Sequence, residues 1–357
     1  MVLVLIFAAA LWGVGRLMGA SRAARLYMLG LLFVAVLAVQ VALPAGHPLR
    51  AATGGSAGLW LVLAGLAALA LGYRAVLGRV QARATEKEVA EAAPERGAAK
   101  TDGPSPTELE RYARHIVLRE IGGPGQKALR SARVLVIGAG GLGAPALQYL
   151  AAAGVGTIGV IDDDVVENAN LQRQVIHRDG DIGVPKVFSA EAAMRAQNPH
   201  VTVRPYHRWL EPEVADELFA EYDVVLDGSD NFDTRYLSNA TAVGTGVPLI
   251  SGALSQWEGQ LSVFDPARGS PCYRCVFPER PAPGLAPSCA EAGVLGPLPG
   301  VVGAMMAVEA VKLITGAGAP LRGEMLIYDA LWGETRKIAL RRDPGCAVCG
   351  EAARRAG

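Results

Sequence analysis

No charge of one sign dominates this chain: 34 Lys and Arg are matched by 34 Asp and Glu over 357 residues, for a formal net charge of zero. Nor is there a basic tract. Without a positive field, nucleic acid is excluded as a partner. No internal repeat is visible, so a stacked array of repeats is not indicated. No basic segment precedes the apolar run at the N-terminus, which argues against a secretory signal peptide. A Ser-His-Asp constellation is also missing, and His115, His177, His200 and His207 are scattered along the chain as ordinary residues. Cysteine is scarce, five in all, and the first is Cys272.

What the chain has in excess is apolar surface at its start. The positive mean hydropathy comes mostly from residues 1–80, in the segments Met1–Gly15, Leu26–Leu43 and Ala57–Tyr73. Each lies near the lower limit for crossing a bilayer, which takes ~20 residues. None holds Asp, Glu or Lys, so transport is not suggested. Arg16, Arg22 and Arg25 follow the first segment and Arg74, Arg79 and Arg83 the third, with Arg50 alone between the second and third. By the positive-inside bias the N-terminus is outside, and everything after Tyr73 is cytoplasmic. Three spans give the same parity, and so consistent an asymmetry argues against a spurious N-terminal extension. The predicted organisation is a membrane anchor over 1–83, a flexible polar linker over 84–106, and a soluble domain over 107–357.

In the soluble domain, Pro106 and Thr107-Glu-Leu-Glu110 read as a helix start with the threonine as N-cap. Strand-like runs follow at Arg133–Ile137, Thr157–Ile161, Val201–Pro205, Asp223–Asp227 and Pro248–Ile250. Helical runs separate them at Leu142–Ala153, Val187–Gln197, Glu211–Ala220 and Asn231–Val243. This alternation predicts an α/β fold with a Rossmann-like, doubly wound, mostly parallel sheet. After Ser251 the pattern changes to an antiparallel extension, a helix at Val302–Thr315 and a late hairpin near Met325–Leu340.

Between the first strand and its helix runs Gly138-Ala-Gly-Gly-Leu-Gly143, a turn that brings backbone N–H groups up to a phosphate. Gly138, Gly140, Gly141 and Gly143 are its glycines, and Asp162, ending the second strand, is placed for a ribose hydroxyl. That much suits NAD or FAD. Asn170, Arg173 and Lys186 are residues a dinucleotide site does not need; two cations beside the turn suit a leaving pyrophosphate. Asp230, in Asp227-Gly-Ser-Asp-Asn231, is a candidate Mg²⁺ ligand. Cys272 and Cys275, with Cys346 and Cys349, form two C-x-x-C pairs, the spacing of a closed structural zinc site; a redox dithiol is the alternative. Cys289 is the odd thiol, a candidate for nucleophilic or sulfur-carrying chemistry.

From about Leu109 to Gly350 the sequence resembles the molybdopterin-synthase adenylyltransferases and their thiamine-pathway relatives, bacterial cousins of ubiquitin-activating enzymes. The resemblance is carried by Arg111-Tyr-Ala-Arg114, the glycine turn, Asn170-Leu-Gln-Arg-Gln174, Asp227–Asn231, Pro271-Cys-Tyr-Arg-Cys275, Gly293-Val-Leu-Gly-Pro297 and Cys346-Ala-Val-Cys349. It implies ATP-dependent adenylation of the C-terminal glycine of a small ubiquitin-like sulfur carrier ending in Gly-Gly, in molybdenum-cofactor biosynthesis. It also implies that Asn170, Arg173 and Lys186 hold phosphates, that Asp230 with Asn231 lies at the nucleotide with Mg²⁺, and that the four paired cysteines hold Zn²⁺. Arg114 is implied to reach ATP from the other subunit of a homodimer. Such a protein would sit in the bacterial inner membrane as a multi-pass protein with its catalytic domain in the cytoplasm. Ala169 and Ser229 depart from the family's usual serine and threonine, and the chain stops soon after Cys349, so a separate sulfur donor is expected. The thiamine-pathway carrier is the alternative substrate. A membrane-bound NAD-dependent oxidoreductase and a non-catalytic scaffold for a ubiquitin-like partner are the readings outside this class.

Overall fold

The computed structural model describes residues 2–62 except 20 and 45, positions 65, 69, 72 and 73, and residues 103–281 and 292–350. The chain divides into two compact units, Met1–Gly97 and Ala98–Gly357.

In the first unit, helices α1 (Val2–Leu17) and α2 (Arg22–Ala42) are followed by the short α3 (Pro48–Ala52). Ser21 caps α2, its hydroxyl accepting from the Ala24 amide at 3.2 Å. Val4, Val36 and Trp60 form a small buried cluster, while Leu5, Phe7, Leu31 and Val34 stay exposed. Gln40 is buried and donates to the Arg50 carbonyl at 3.0 Å and to Thr53 Oγ1 at 2.7 Å, tying α2 to α3.

Two or three spans were expected here, and the first of them is corrected: its helix is too short. Among the described residues of this unit only Ala24–Ala42, 19 residues, is long and apolar enough to cross a bilayer. The apolar part of α1, Leu3–Leu17, is shorter; at ~1.5 Å per residue a helix of that length falls short of a ~30 Å hydrocarbon core. The third segment, 57–73, and the linker, 84–106, fall partly outside the described residues.

The second unit opens with α4 (Pro106–Arg111), α5 (Ala113–Ile116) and α6 (Gly122–Ser131). The N-cap of α4 is Ser105 rather than Thr107. The Glu108 amide donates to Ser105 Oγ at 3.2 Å and the Ser105 amide to Glu108 Oε2 at 2.9 Å, a capping box two residues upstream of the predicted cap. Strands β1 (Arg133–Ile137), β2 (Thr157–Ile161), β3 (Thr202–Tyr206), β4 (Val224–Asp227) and β5 (Leu249–Leu254) then alternate with α7 (Gly143–Ala153), α8 (Lys186–Gln197), α9 (Pro212–Ala220) and α10 (Phe232–Thr245). β6 (Glu258–Phe264) follows, then the short α11 (Tyr273–Val276), the long α12 (Pro297–Thr315), and the hairpin β7 (Glu324–Asp329) and β8 (Glu334–Ala339).

All eight strands form one sheet in the order β3-β2-β1-β4-β5-β6-β7-β8, parallel through β5 and antiparallel beyond. The near-continuous apolar runs of β1 and β4 bury all of Val134–Ile137 and Val224–Asp227, as strands covered on both faces require. One core lies under α7 and α12, with Leu147, Leu150, Val136 and Met306 buried; the other holds Leu135, Val225 and Phe219. α12 is the second helix that passes the length and composition test for a span, but its apolar residues are core. It begins at Pro297, a turn earlier than predicted, because prolines at 297 and 299 fit a helix's first turn.

Register positions the functional loops. Ile137, last in β1, pairs with Ile161 of β2 on one side and Asp227 of β4 on the other, and Asp227 pairs with Ser251 of β5. The loops after β1, β2 and β4 therefore leave the sheet side by side. The strand order reverses between β1 and β4, the crevice where such sheets bind ligands.

Candidate functional site

The turn after β1 is built by close backbone approach. Gly138 has φ +89°, a left-handed conformation that L side chains rarely adopt. A Cβ at Gly143 would stand 1.8 Å from the Gly138 carbonyl oxygen, so the first turn of α7 folds directly over the strand end. The Gly138 amide donates to the Ile161 carbonyl at 2.9 Å and the Gly228 amide to the Ile137 carbonyl at 3.0 Å, stitching the three loops together.

These loops line a cleft of about 780 Å³, within the ~300–1,000 Å³ usual for small-molecule sites. Gly138, Gly140, Gly141, Asp162, Arg173, Lys186, Asp230 and Asn231 all line it. Asp162 Oδ2 accepts from the Ala139 amide at 2.7 Å, and its Oδ1 from the Asp164 amide at 2.9 Å. Burial raises the Asp162 carboxyl above the ordinary carboxylate range, opposed by Lys186 and by those two amides. Lys186 opens α8 with its side chain buried and its ammonium 2.5 Å from Asp164 Oδ2. Arg173 is half-buried, donating to the Ala169 carbonyl and to Asn170 Oδ1, each at 3.2 Å. Asn170 does not line the cleft itself; it holds the guanidinium that does. Asp230 is exposed on the loop after β4, and Asn231 caps α10 by accepting from the Thr234 amide at 2.8 Å.

The four paired cysteines converge. Cys272 Sγ lies 3.8 Å from Cys275 and 3.7 Å from Cys346, and Cys275 Sγ 3.4 Å from Cys349. Four thiolates at a Zn–S distance of ~2.3 Å around a tetrahedral ion stand ~3.8 Å apart. The separations fit that geometry and exceed a disulfide bond of ~2.05 Å. Cys272 is fully buried, and burial pushes its thiol up, so a cation is needed to hold it as thiolate. The Asn239 amide donates to Cys272 Sγ at 3.8 Å, and its oxygen accepts from the Tyr273 amide at 2.7 Å, fixing the first pair to α10.

A family model described as the ThiF family matches residues 112–348, two-thirds of the chain and nearly all of the second unit. The chain belongs to the ThiF family. It is similar to the SAMP-activating enzyme E1 of Haloferax volcanii, 52% identical over 245 residues covering 69% of this chain and 90% of that one. It is similar also to the sulfur carrier protein adenylyltransferase of Thermus thermophilus, 51% identical over 248 residues, 68% and 92% of the two chains. The fold resembles that of E. coli MccB in a crystal structure with MccA-N7isoASN, with TM-score 0.61 and 23% identity over 68% of this chain and 75% of that one.

In this ThiF-family chain the remaining expected residues stand apart from the cleft. Arg114, on α5, is exposed and does not line it within one subunit. Gly143 shapes the turn from the start of α7 without facing the cleft. Cys289 lies outside the described residues.

Other lining residues were not singled out in the sequence. Arg235 is buried and donates to the carbonyls of Ser229 and Gly252, at 2.5 and 2.8 Å, and to Ser251 Oγ at 3.2 Å, bracing the loop that carries Asp230. Its acceptors lie on the loop after β4 and on β5, so no local sequence signal marks it. Gln174 is buried at the turn with its Oε1 unpartnered. Trp209, Phe277 and Arg280 also line the cleft, from segments other than the glycine turn.

Proposed function

We propose that the second unit adenylates the C-terminal glycine of a small ubiquitin-like sulfur carrier, consuming ATP and releasing pyrophosphate, in the service of molybdopterin formation. One observation carries the reading: a phosphate-presenting turn, an acid placed for ribose, two cations and an exposed loop carboxylate share one cleft. The names of the two most similar relatives reported above support it. A carboxylate is a poor electrophile, and joining it to AMP as a mixed anhydride makes it reactive. The carrier's own carboxylate attacks the α-phosphorus and pyrophosphate departs, so the enzyme supplies alignment and charge stabilisation rather than a nucleophile.

On this reading the turn amides and Asp162 hold the nucleotide, and Lys186 and Arg173 neutralise the departing pyrophosphate. Asp230 is the residue that would hold Mg²⁺, which supplies further charge neutralisation at phosphate oxygens. The part of the cleft lined by Trp209, Phe277 and Arg280 is left for the carrier tail. Arg114 completes the site from the second copy of a homodimer. Cys272, Cys275, Cys346 and Cys349 hold a structural zinc, clipping the segment after β8 to α11 and its N-cap. The first unit tethers the domain to the membrane, supported by the apolar Ala24–Ala42 helix, the outward apolar side chains and the arginine asymmetry.

The test is mass spectrometry of a Gly-Gly carrier incubated with the full chain, ATP, Mg²⁺ and pyrophosphatase. The carrier gains one AMP at its C-terminus; an unmodified carrier under these conditions overturns the reading. Cell fractionation tests the tether. The full chain sediments with membranes after alkaline carbonate washing, whereas a soluble full chain contradicts the anchor.

A further inference from the structure

His177 has no part in the chemistry above, yet it is buried directly behind the glycine turn. Its Nε2 lies 3.0 Å from the Ala139 carbonyl oxygen. Its Nδ1 lies 2.9 Å from Ser189 Oγ, which is 2.7 Å from Asp181 Oδ2. A carbonyl oxygen only accepts, so Nε2 carries a proton and donates it; the Ser189 hydroxyl has a single proton, which in the neutral ring goes to Nδ1 and, when Nδ1 is itself protonated, to Asp181. The ring is therefore held from behind by α8 and the Asp181 loop, with one N–H aimed at the turn.

Ala139 is gripped on its other side as well, its amide donating to Asp162 Oδ2 at 2.7 Å. A residue fixed at both amide and carbonyl has little rotational freedom. Across a trans peptide the C=O and the following N–H point in opposite directions. Drawing the Ala139 carbonyl back to His177 thus turns the Gly140 N–H away from the core, toward the cleft that Gly140 lines. Among the described residues the amides of Gly140 and Gly141 donate to no protein acceptor. Unpaired, outward-facing amides in a glycine turn are the donors an anion takes.

We propose that His177 is a positioning residue for the nucleotide: it sets the peptide between Ala139 and Gly140 so that the Gly140 N–H faces the phosphates. This rests on the reading that the cleft binds ATP. A histidine present only to satisfy core polar groups would act through stability alone, and the two roles separate by substitution. In His177→Gln the side-chain amide nitrogen reaches about where Nε2 stands and keeps the donor to Ala139. In His177→Asn the shorter amide reaches only the Nδ1 position, retaining a partner for Ser189 and releasing the carbonyl.

The experiment measures ATP affinity by calorimetry and the melting temperature without nucleotide, for the full chain and both variants. His177→Gln binds ATP within about threefold of wild type. His177→Asn, at a melting temperature matching the glutamine variant, binds at least about tenfold more weakly, the effect of one lost hydrogen bond to a charged group. The KM for the carrier is unchanged in both. Equal affinity in all three proteins, or losses that follow melting temperature in both variants, would overturn the proposal while leaving adenylation intact. A wild-type chain with no affinity for ATP overturns both. Should either histidine variant fail to fold, Ser189→Ala reads the same device, because it removes the hydroxyl that braces the ring. Weaker ATP binding at an unchanged carrier KM supports the proposal, and unchanged ATP affinity contradicts it.

Discussion

Replacing Lys186 with methionine keeps the stem that packs at the start of α8 and removes only the charge. The ammonium is nearly enclosed, with 5% of the side chain exposed, and its partner Asp164 is largely solvated at 61%, so losing their pair leaves no stranded buried charge at position 164. The effect on Asp162 is larger. Lys186 is the main influence opposing burial at that carboxyl, and without it the acid is held still higher, weakening its acceptor role toward the Ala139 amide. The catalytic cost follows from charge. A cation ~4 Å from a phosphate oxygen, at an effective dielectric near 20, is worth ~4 kcal/mol. Solvent and Arg173 recover part of that, so kcat for carrier adenylation should fall about 10²–10³-fold, the range for removing one preorganised donor from an anionic transition state. Pyrophosphate release under saturating ATP and carrier measures it, with a thermal melt to confirm folding. A folded variant with kcat within about threefold of wild type refutes the argument, because it would mean the enclosed ammonium does not face the reacting phosphates.

Three further outcomes are expected. Cys346→Ser should lose bound zinc, measured by metal analysis after gel filtration, and should melt lower by about 2–4 °C for each kcal/mol lost; full zinc retention would contradict the four-thiolate clip. Arg114→Ala and Lys186→Met should each be inactive alone, yet mixing and re-annealing the two should restore about a quarter of wild-type activity, the statistical yield of complete sites in random dimers. No recovery places Arg114 outside the partner's site. Burial lowers the affinity of His177 for a second proton, an effect reinforced by Lys186 and opposed by Ala139 and Asp181. A depressed folded value stabilises above the unfolded histidine value of ~6.5, and that stabilisation is lost as the pH falls through the folded value. The gap in urea midpoint between wild type and His177→Gln should therefore narrow from about pH 8 to about pH 5, and a widening gap would contradict the buried neutral ring.

Much of the parallel half of the sheet was legible because its signals are local. β1, β2 and the glycine turn stand where the apolar runs and Gly138–Gly143 placed them, since strand, turn and helix start each have residue requirements at fixed offsets. Asp162, Lys186 and Asp230 lie in one cleft for the same reason, each close to a strand end or helix start, and Arg173 joins them from the long loop between β2 and α8. The roles of Arg235 and His177 were not legible. Arg235 is defined by carbonyls of the loop after β4 and of β5, and His177 by Ala139, 38 residues away; tertiary packing alone brings such partners together. The α4 cap moved to Ser105 because serine and threonine each have a glutamate three residues on, and a cap at Ser105 puts Pro106 at the first helical position, which suits it. Composition overstated the N-terminal spans, because an apolar run as short as Leu3–Leu17 cannot by itself specify a crossing.

On the proposed function this cleft makes an acyl-adenylate from a carrier glycine and ATP. Exchange of radiolabelled pyrophosphate into ATP tests it most directly, because exchange requires the adenylate to form and reverse on the enzyme. The account predicts exchange with a carrier ending in Gly-Gly, and none without carrier or with the terminal glycine removed. Exchange independent of the carrier's C-terminus, or its absence with every Gly-Gly carrier offered, would contradict it.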